Sequence, residues 1–367
     1  MFTVFGLVFL ILILLVLIGI VGIGWYISNR LLHRTGSSLL FNILVTDMNT
    51  KTVTLQKTAN TRRSGVFGII GADGQAIVGP ILSSDTETVT RELIHSTGTL
   101  SKVAWNTTVY GGALRNLLEL TINDVHVPGV LGDMSSWFVP GKLTTWAILV
   151  HGATGTREQS LRSFQTLADL GLPILDITYR NDEGAPPSSD GLSHLGDIEW
   201  QDLEANIKYA LAQGAQHILL YGWSMGGTIV ETFLDHSSYA SIIQAVVLDS
   251  PVLDWRSTLD ALIKKNSLPS FIARVTEKII SMRTGIHFDI LDKIGQEQSQ
   301  LPILLFHGIS DTTAPIAISD TFASTHSNVT YHRIPEAEHT QCWNVNPQIY
   351  EAELRLFLTH VLDLMAI

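Results

Sequence analysis

The sequence has 367 residues, a formal net charge of -11 at pH 7 and a single cysteine, Cys342. That length can bury a sizeable core in one large or two modest domains. A negative net charge without any Lys/Arg-rich run argues against nucleic acid as a partner, because phosphate binding needs a basic surface. One cysteine excludes an internal disulfide framework and a cysteine-rich zinc or iron–sulfur site.

The first predicted element is an uncharged apolar run from Val4 to Ile27, which is long enough to cross a bilayer as a helix. A cleaved signal peptide is the alternative. The run is too long for one, lacks a positively charged N-terminal flank and precedes no A-x-A-like cleavage site. We therefore expect a transmembrane anchor within residues 1–35.

Charged and aromatic residues at the end of this run predict its orientation. Trp25 and Tyr26 lie where an interfacial aromatic belt is expected, and Arg30 and Arg34 follow them, whereas no Lys or Arg precedes the run. Positively charged residues next to a membrane span tend to stay in the cytoplasm. The C-terminal part of the chain is thus predicted to lie on the cytoplasmic side of the cell membrane.

The next segment, residues 36–120, is rich in Thr, Val and Gly and is predicted to be a small β-rich domain. The alternating runs KTVTLQ and GVFGII are expected to be strands, with breaks at GADGQ and SSDTET. An extended stalk is the alternative. It is weaker, because alternating apolar residues need a surface against which to pack.

Residues 121–367 show the pattern of an α/β domain. Three strand-like runs come first, and helical periodicity then alternates with buried-strand runs from Glu158 onward. The successive runs are DVHVP, GDMSSWFVP, TTWAILVHG, LPILDITYR, HILLYGWS, AVVLDSPV, LPILLFHG and VTYHRIP. Such runs predict a mostly parallel sheet with helices on both faces. A largely helical insertion at about 254–300 is expected to roof the site.

The stretch YGWSMGGTIV places Ser224 between Gly222 and Gly226 at a predicted strand-to-helix turn. A G-x-S-x-G pattern alone arises by chance and is weak evidence. In a nucleophile elbow, however, glycines at these positions avoid collisions at the sharp turn and leave the serine hydroxyl exposed. We therefore interpret Ser224 as a candidate nucleophile, with the N–H of Met225 as a donor to a developing oxyanion.

HGATG, at His151–Gly155, ends the TTWAILV run and is a candidate for the second half of an oxyanion hole. Glycines there let the backbone approach a substrate, so the N–H of Ala153 would join that of Met225. An ordinary β–α turn is the alternative.

Two aspartates compete for the role of catalytic acid. Asp311, in LFHGISDTTAP, follows a late strand and precedes the candidate histidine, which suits the chain order serine, acid, histidine. A helix N-cap is its alternative role. Asp249, in VLDSPV, also ends a strand after the serine, and we favour Asp311 over it.

The candidate base is His339 in PEAEHTQCW, on a loop from which its ring could reach both Ser224 and Asp311. His332 lies within a predicted strand and competes poorly, and Cys342 is interpreted as a packing residue. No H-E-x-x-H or other ligand spacing predicts a metal site, and no cofactor is expected.

With GWSMGG, HGATG, HGISD and AEH in this order, the chain resembles the α/β-hydrolase superfamily of serine hydrolases from about Asp124 to the C-terminus. It is most similar to bacterial membrane-anchored α/β-hydrolases near the serine-aminopeptidase and prolyl-oligopeptidase-like branch. YRNDEGAPPSSDG, VLDSPVLDW, VTLQKTANTRRSGVFGI and TVYGG are also typical of that group. The resemblance implies an α/β-hydrolase fold, a triad of Ser224, Asp311 and His339, and an oxyanion hole from Ala153 and Met225.

The resemblance also suggests a role for the YRNDEGAPPSSDG loop. Because the loop follows the strand beside the elbow, Tyr179, Arg180 and Asn181 are candidates for the pocket rim. A solvent loop shaped by Gly184, Pro186 and Pro187 is an equal alternative.

These features predict a membrane-tethered serine hydrolase that cleaves an ester or thioester through an acyl-enzyme. Its position beside a bilayer suggests a small-molecule, acyl-lipid or lipidated-protein substrate. A serine peptidase or aminopeptidase with the same triad is the nearest alternative, and a non-catalytic binding protein is a further one. The sequence leaves the oligomeric state open.

Overall fold

Two β-sheets and a long N-terminal helix make up the architecture, which a computed structural model describes for residues 2–34, 39–294 and 300–365. The N-terminal helix, α1 (Phe2–Leu32), carries no charge before Arg30. Its stretch Val4–Leu32 contains an 18-residue window with a mean hydropathy of 3.5 and is long and apolar enough to cross a membrane.

The first sheet contains the predicted β-rich residues. Its strands are β1 (Ile43–Met48), β2 (Thr52–Gln56), β3 (Phe67–Ser84) and β4 (Thr88–Asn106). They pair antiparallel in the order β1-β2-β4-β3, and β1 also pairs with β4. Val53, Phe67 and Val103 belong to a small core of its own, which explains the alternating pattern of the sequence.

One predicted break in this sheet is wrong. GADGQ does not end a strand. Strand β3 continues through it, with an irregular register between Gly71 and Asp73. A Cβ at Gly74 would lie 2.3 Å from the carbonyl oxygen of Thr97, so this glycine permits close approach of two strands. The break at SSDTET is confirmed: it is the turn between β3 and β4, where Asp85 accepts a hydrogen bond from the N–H of Thr88.

The second sheet has eight strands and confirms the predicted α/β-hydrolase fold. They are β5 (Asn123–Gly129), β6 (Gly132–Val139), β7 (Thr145–Val150), β8 (Ile174–Asp176), β9 (His217–Trp223), β10 (Ile243–Asp249), β11 (Ile303–Gly308) and β12 (Val329–Ile334). The order is β12-β11-β10-β9-β7-β8-β6-β5, and the six strands from β12 to β8 are parallel. At the other edge, β6 pairs antiparallel with β8, and β5 pairs antiparallel with β6.

The run LPILDITYR is extended over a shorter stretch than predicted. Its strand, β8, ends at Asp176. Three residues later the chain has left the sheet, and the N–H of Tyr179 donates to the Asp182 carboxylate at 3.0 Å rather than to a neighbouring strand.

Helices cover both faces of the large sheet. They are α2 (Leu161–Asp169), α3 (Trp200–Ala212), α4 (Met225–His236), α5 (Trp255–Lys265), α6 (Phe271–Thr284), α7 (Ile316–Thr325), α8 (Cys342–Val345) and α9 (Pro347–Met365). Adjacent strand residues alternate between two cores, with Ile148 and Leu220 in one and Leu149 and Tyr221 in the other. Burial on both faces explains why these strands are almost continuously apolar.

The predicted helical insertion contains α5, α6 and a short 3-10 helix at Phe288–Leu291, while residues 295–299 of it lie outside the described residues. The last turns of α1 pack against this insertion, where Ile27 is buried, and Leu32 joins a core of the large sheet. The C-terminal end of α1 is therefore packed against the helical insertion.

Candidate active site

Ser224 lies at the sharp turn between β9 and α4, with φ +53° and ψ -120°. Such a positive φ is strained for a residue with a side chain, and the turn is possible because its flanks are glycines. A Cβ at Gly226 would lie 2.1 Å from the carbonyl oxygen of Val150, and one at Gly222 would lie 2.7 Å from the carbonyl carbon of Gly226. This is the geometry of the predicted nucleophile elbow.

The structure brings Ser224, His339 and Asp311 into one hydrogen-bonded chain. The Ser224 hydroxyl lies 2.8 Å from Nε2 of His339, and Nδ1 of His339 lies 2.7 Å from Oδ2 of Asp311. In this order the hydroxyl can donate to Nε2 while Nδ1–H donates to the carboxylate. The arrangement can therefore remove the proton of an attacking serine.

Asp311 is held as a carboxylate. Burial acts to raise the pKa of Asp311, but hydrogen bonds and charge from His307 and His339 outweigh it and place the pKa well below its usual range. Its other oxygen accepts from the N–H groups of Thr313 and Ala314 at 2.7 and 2.9 Å. These bonds fix the carboxylate toward the imidazole.

Asp249, the rival acid, faces another part of the protein. Its carboxylate accepts hydrogen bonds at 3.0 Å from the hydroxyls of Ser250 and Tyr350. Its backbone oxygen accepts from the N–H of Ser224, so Asp249 supports the elbow without reaching His339.

Two other residues weighed from the sequence lie outside the hydrogen-bonded chain. His332 lies on β12, with Nε2 3.7 Å from Glu353. Cys342 is buried, and burial raises the pKa of its thiol well above the ordinary value, which suits a packing residue.

The backbone N–H groups of Ala153 and Met225 are the predicted donors of the oxyanion hole. Within the described ranges, neither the N–H of Ala153 nor that of Met225 has an acceptor. The strand-end loop approaches the serine so closely that a Cβ at Gly152 would lie 2.9 Å from the Ser224 Cβ. The N–H of Gly152 donates to Gln159, which holds the loop in place.

The three predicted rim residues do not line the cleft at Ser224. Tyr179 is buried behind the loop, where its hydroxyl donates to the carbonyl oxygen of Gly152 at 3.0 Å. Arg180 is buried in a bidentate ion pair with Asp202. Asn181 bonds within its own loop and lines a separate depression. The rim prediction is wrong, because the side chains of this loop are used to fix the loop itself.

The cleft above Ser224 has a volume of about 610 Å³ and is bounded by four parts of the chain. The elbow and the loops of Ala153 and His339 form its floor. The remaining walls come from the end of α1 and the segment after it, from the first sheet, and from the helical insertion. Their representative residues are Leu31, Leu39, Leu40, Trp105, Asn106, Trp255 and Leu262. The insertion thus covers the site as expected.

The connection between β2 and β3 also holds the loop that carries His339, a contact which the sequence did not reveal. Arg63 donates to Gln341 at 2.8 Å and forms an ion pair at 2.8 Å with Glu338. These two partners flank the histidine. Nothing local in TANTRRSG marks Arg63 as a partner of a loop so distant in sequence.

Substitution of Arg63 by alanine is therefore expected to lower kcat about tenfold with little change in KM, because the loop loses charged hydrogen bonds and the imidazole loses its position. Steady-state kinetics on a p-nitrophenyl ester measure this effect. Arg62→Ala is the matched control, since Arg62 is exposed and its guanidinium bonds only to Thr58 among the described residues. An equal loss in both variants would contradict the assignment.

This fold, with a serine at its strand-to-helix elbow, defines a serine hydrolase of the α/β-hydrolase type. The chain belongs to the prolyl oligopeptidase family, whose model matches residues 158–363. A domain of unknown function, DUF8805, matches residues 43–106, which form the first sheet. No curated protein matches the sequence significantly. The family match confirms the predicted enzyme class.

Solved structures share the α/β-hydrolase fold. An esterase of Pyrococcus furiosus aligns with a TM-score of 0.56 and 21% identity, over 69% of this chain and 96% of the esterase. Est1E from Butyrivibrio proteoclasticus with bound ferulic acid aligns with a TM-score of 0.50 and 17% identity, over 65% and 99%. At these identities the likeness establishes the α/β-hydrolase fold alone.

Proposed function

We propose that the protein is a membrane-anchored serine hydrolase that cleaves a carboxylic ester or thioester through an acyl-enzyme on Ser224. The observation that carries the proposal is the hydrogen-bonded chain from Ser224 through His339 to Asp311 at the floor of an open cleft. A binding protein would have no need of this aligned chain. The proposed organisation is an anchor at 1–35, a β-rich domain at 36–120 and a catalytic domain at 121–367.

In the proposed mechanism, Oγ of Ser224 attacks the carbonyl carbon while Nε2 of His339 takes the hydroxyl proton. The carbonyl oxygen becomes an oxyanion, which the N–H groups of Ala153 and Met225 stabilise. Collapse of this intermediate breaks the bond to the alcohol or thiol, which leaves with the proton from His339. Water, deprotonated by His339, then attacks the acyl-enzyme and releases the carboxylic acid and the free serine.

The lining of the cleft favours an ester over a peptide N-terminus. An aminopeptidase needs a carboxylate to bind the substrate ammonium group, yet none of the described residues that line the cleft is Asp or Glu. Lys265 is the cation among them, and the walls are otherwise apolar or neutral.

We expect hydrolysis of short p-nitrophenyl esters and little or no hydrolysis of aminoacyl-anilides. Assays of both substrate types with the same preparation measure the preference. Faster cleavage of the anilides would show that the peptidase alternative is correct.

The proposed cytoplasmic location depends on Arg30 and Arg34, and a second observation supports it. The exposed charged side chains of α5 and α6 are Lys264, Lys265, Arg274 and Lys278, all of them cations. A basic surface beside the anchor suits the anionic cytoplasmic leaflet.

Protease added to intact spheroplasts is expected to leave the catalytic domain whole and to cut it only after the membrane is permeabilised, because the charge bias retains it inside. Cleavage in intact spheroplasts would place the domain outside. As a control, neutral residues at positions 30 and 34 combined with lysines ahead of Val4 should turn the domain outward.

A further inference from the structure

The cleft at Ser224 lies directly beside the N-terminal helix. Leu31 of α1 lines the cleft, as do Leu39 and Leu40 of the segment that follows. Leu40 is 69% exposed, so an apolar side chain stands open to solvent at the mouth of the site. The element proposed as the anchor therefore forms part of the substrate cleft.

The helix is fixed on the catalytic domain in one orientation by its contacts with α6. Gly24 allows close packing, since a Cβ there would lie 2.9 Å from Cδ1 of Ile279. Arg283 donates to the Ser28 hydroxyl at 2.9 Å, and its guanidinium lies 4.4 Å from the centroid of the Trp25 ring. A domain held in this way keeps a set height and rotation relative to a bilayer that α1 crosses.

The length of α1 gives that height. About 20 apolar residues cross the hydrocarbon core, so a span that begins at Val4 ends near Ile23. Leu31 follows roughly eight residues later, which is ~12 Å further along the helix at its rise per residue. The cleft thus lies just above the hydrocarbon boundary, at the level of the lipid headgroups.

Partly buried apolar side chains lie between the cleft and the level of the bilayer. Leu31 and Leu262 line the cleft and also pack against a cluster formed by α1, α5 and α6, which includes Ile27 and Ile272. Ile20, which lies within the span, packs against the same cluster. Phe271, at the N-terminal end of α6, is 51% exposed beside it. Ile20, Leu31 and Leu262 are only partly buried, so an acyl chain can leave the leaflet along them and Phe271 without full exposure to water.

We infer that the substrate is a long-chain acyl ester lipid, drawn from the leaflet at which α1 leaves the bilayer. This inference rests on the proposed hydrolase function of Ser224. The ester carbonyl lies at Ser224, and the acyl chain contacts Leu31, Leu40 and Leu262 on its way back toward the membrane.

The test uses the full-length protein in phosphatidylcholine vesicles with p-nitrophenyl palmitate as probe. The probe is placed either in the same vesicles as the protein or in separate vesicles that are then mixed. Hydrolysis is expected to be about tenfold or more faster in the shared vesicles, because enzyme and substrate are held at high effective concentration. Equal initial rates would overturn the inference.

A pair of leucine variants tests the proposed path of the chain. Leu40 and Leu356 are both 69% exposed, but only Leu40 lines the cleft, whereas Leu356 lies on α9. The ratio of kcat/KM for palmitate to that for acetate esters should fall about fivefold or more in Leu40→Asn and change less than about twofold in Leu356→Asn. An unchanged ratio in Leu40→Asn would overturn the path.

Two further outcomes separate this inference from the proposed function. If Ser224 reacts with a fluorophosphonate probe and acetate esters are cleaved, yet palmitate in shared vesicles gains no advantage, the lipid substrate is wrong and the hydrolase stands. If labelling and acetate cleavage are both absent, the proposed function itself is wrong, and the inference is wrong with it.

A lipidated protein is the alternative substrate. Tenfold faster cleavage of a palmitoyl-peptide thioester than of a palmitate lipid would show that the substrate is a lipidated protein and would overturn the inference.

Discussion

Ser224→Ala is expected to abolish ester turnover and fluorophosphonate labelling while leaving the fold intact. The proposed chemistry needs the hydroxyl for covalent bond formation, and loss of a nucleophilic serine lowers kcat by about 10⁶ in a comparable triad. The methyl group of alanine fits wherever the serine side chain fits. Initial rates on p-nitrophenyl butyrate, gel-based probe labelling and the thermal unfolding midpoint measure the three expectations.

Ser257→Ala is the control for this variant. Ser257 lies on α5, where its hydroxyl bonds to Asp254, and it does not line the cleft. Labelling and turnover should both persist in it. Undiminished labelling of Ser224→Ala would show that another serine is the nucleophile, and the assignment of the site would have to be abandoned.

The central sheet was predictable because its physical cause is visible in short stretches of sequence. Strands buried on both faces must be apolar throughout, and HILLYG and AVVLD accordingly form the adjacent parallel strands β9 and β10. The elbow was predictable for a similar reason, since only glycine at 222 and 226 avoids backbone atoms there.

Features that depend on partners distant in sequence were not predictable. The side chains of Tyr179 and Arg180 turn inward because Gly152 and Asp202 offer them hydrogen bonds, and no local pattern shows this. For the same reason, the walls contributed by Leu31 and Trp105 appear only once the chain has folded. The position of this loop after the strand beside the elbow suggested a pocket rim, but Tyr179 and Arg180 are buried.

The identity of the catalytic acid was only partly predictable from the sequence. Asp249 ends β10 and Asp311 follows β11 at the same edge of the sheet, so position alone leaves both as candidates. The direction of each side chain separates them: Asp311 lies 2.7 Å from the imidazole, whereas Asp249 accepts from Ser250 and Tyr350. Their asparagine variants should therefore differ strongly.

Asp311→Asn is expected to lower kcat by about 10⁴, because an amide in this place donates to Nδ1 of His339 and moves the ring proton to Nε2. That tautomer cannot accept the proton of Ser224. The asparagine oxygen can still accept from Thr313 and Ala314, so the fold should persist, and circular dichroism with thermal unfolding checks this.

Asp249→Asn is the matched comparison, since it replaces a buried aspartate at an adjacent strand end. This variant is expected to lower kcat less than about tenfold. The substitution removes only a hydrogen bond between the Asp249 carboxylate and a neutral hydroxyl, and it leaves the Ser224–His339 hydrogen bond in place. The Tyr350 hydroxyl can accept from the new amide, which limits the loss of stability. Should Asp249→Asn prove the more damaging variant for kcat at equal folding, the acid of the proposed triad would be Asp249, and the contact between Asp311 and His339 would be structural.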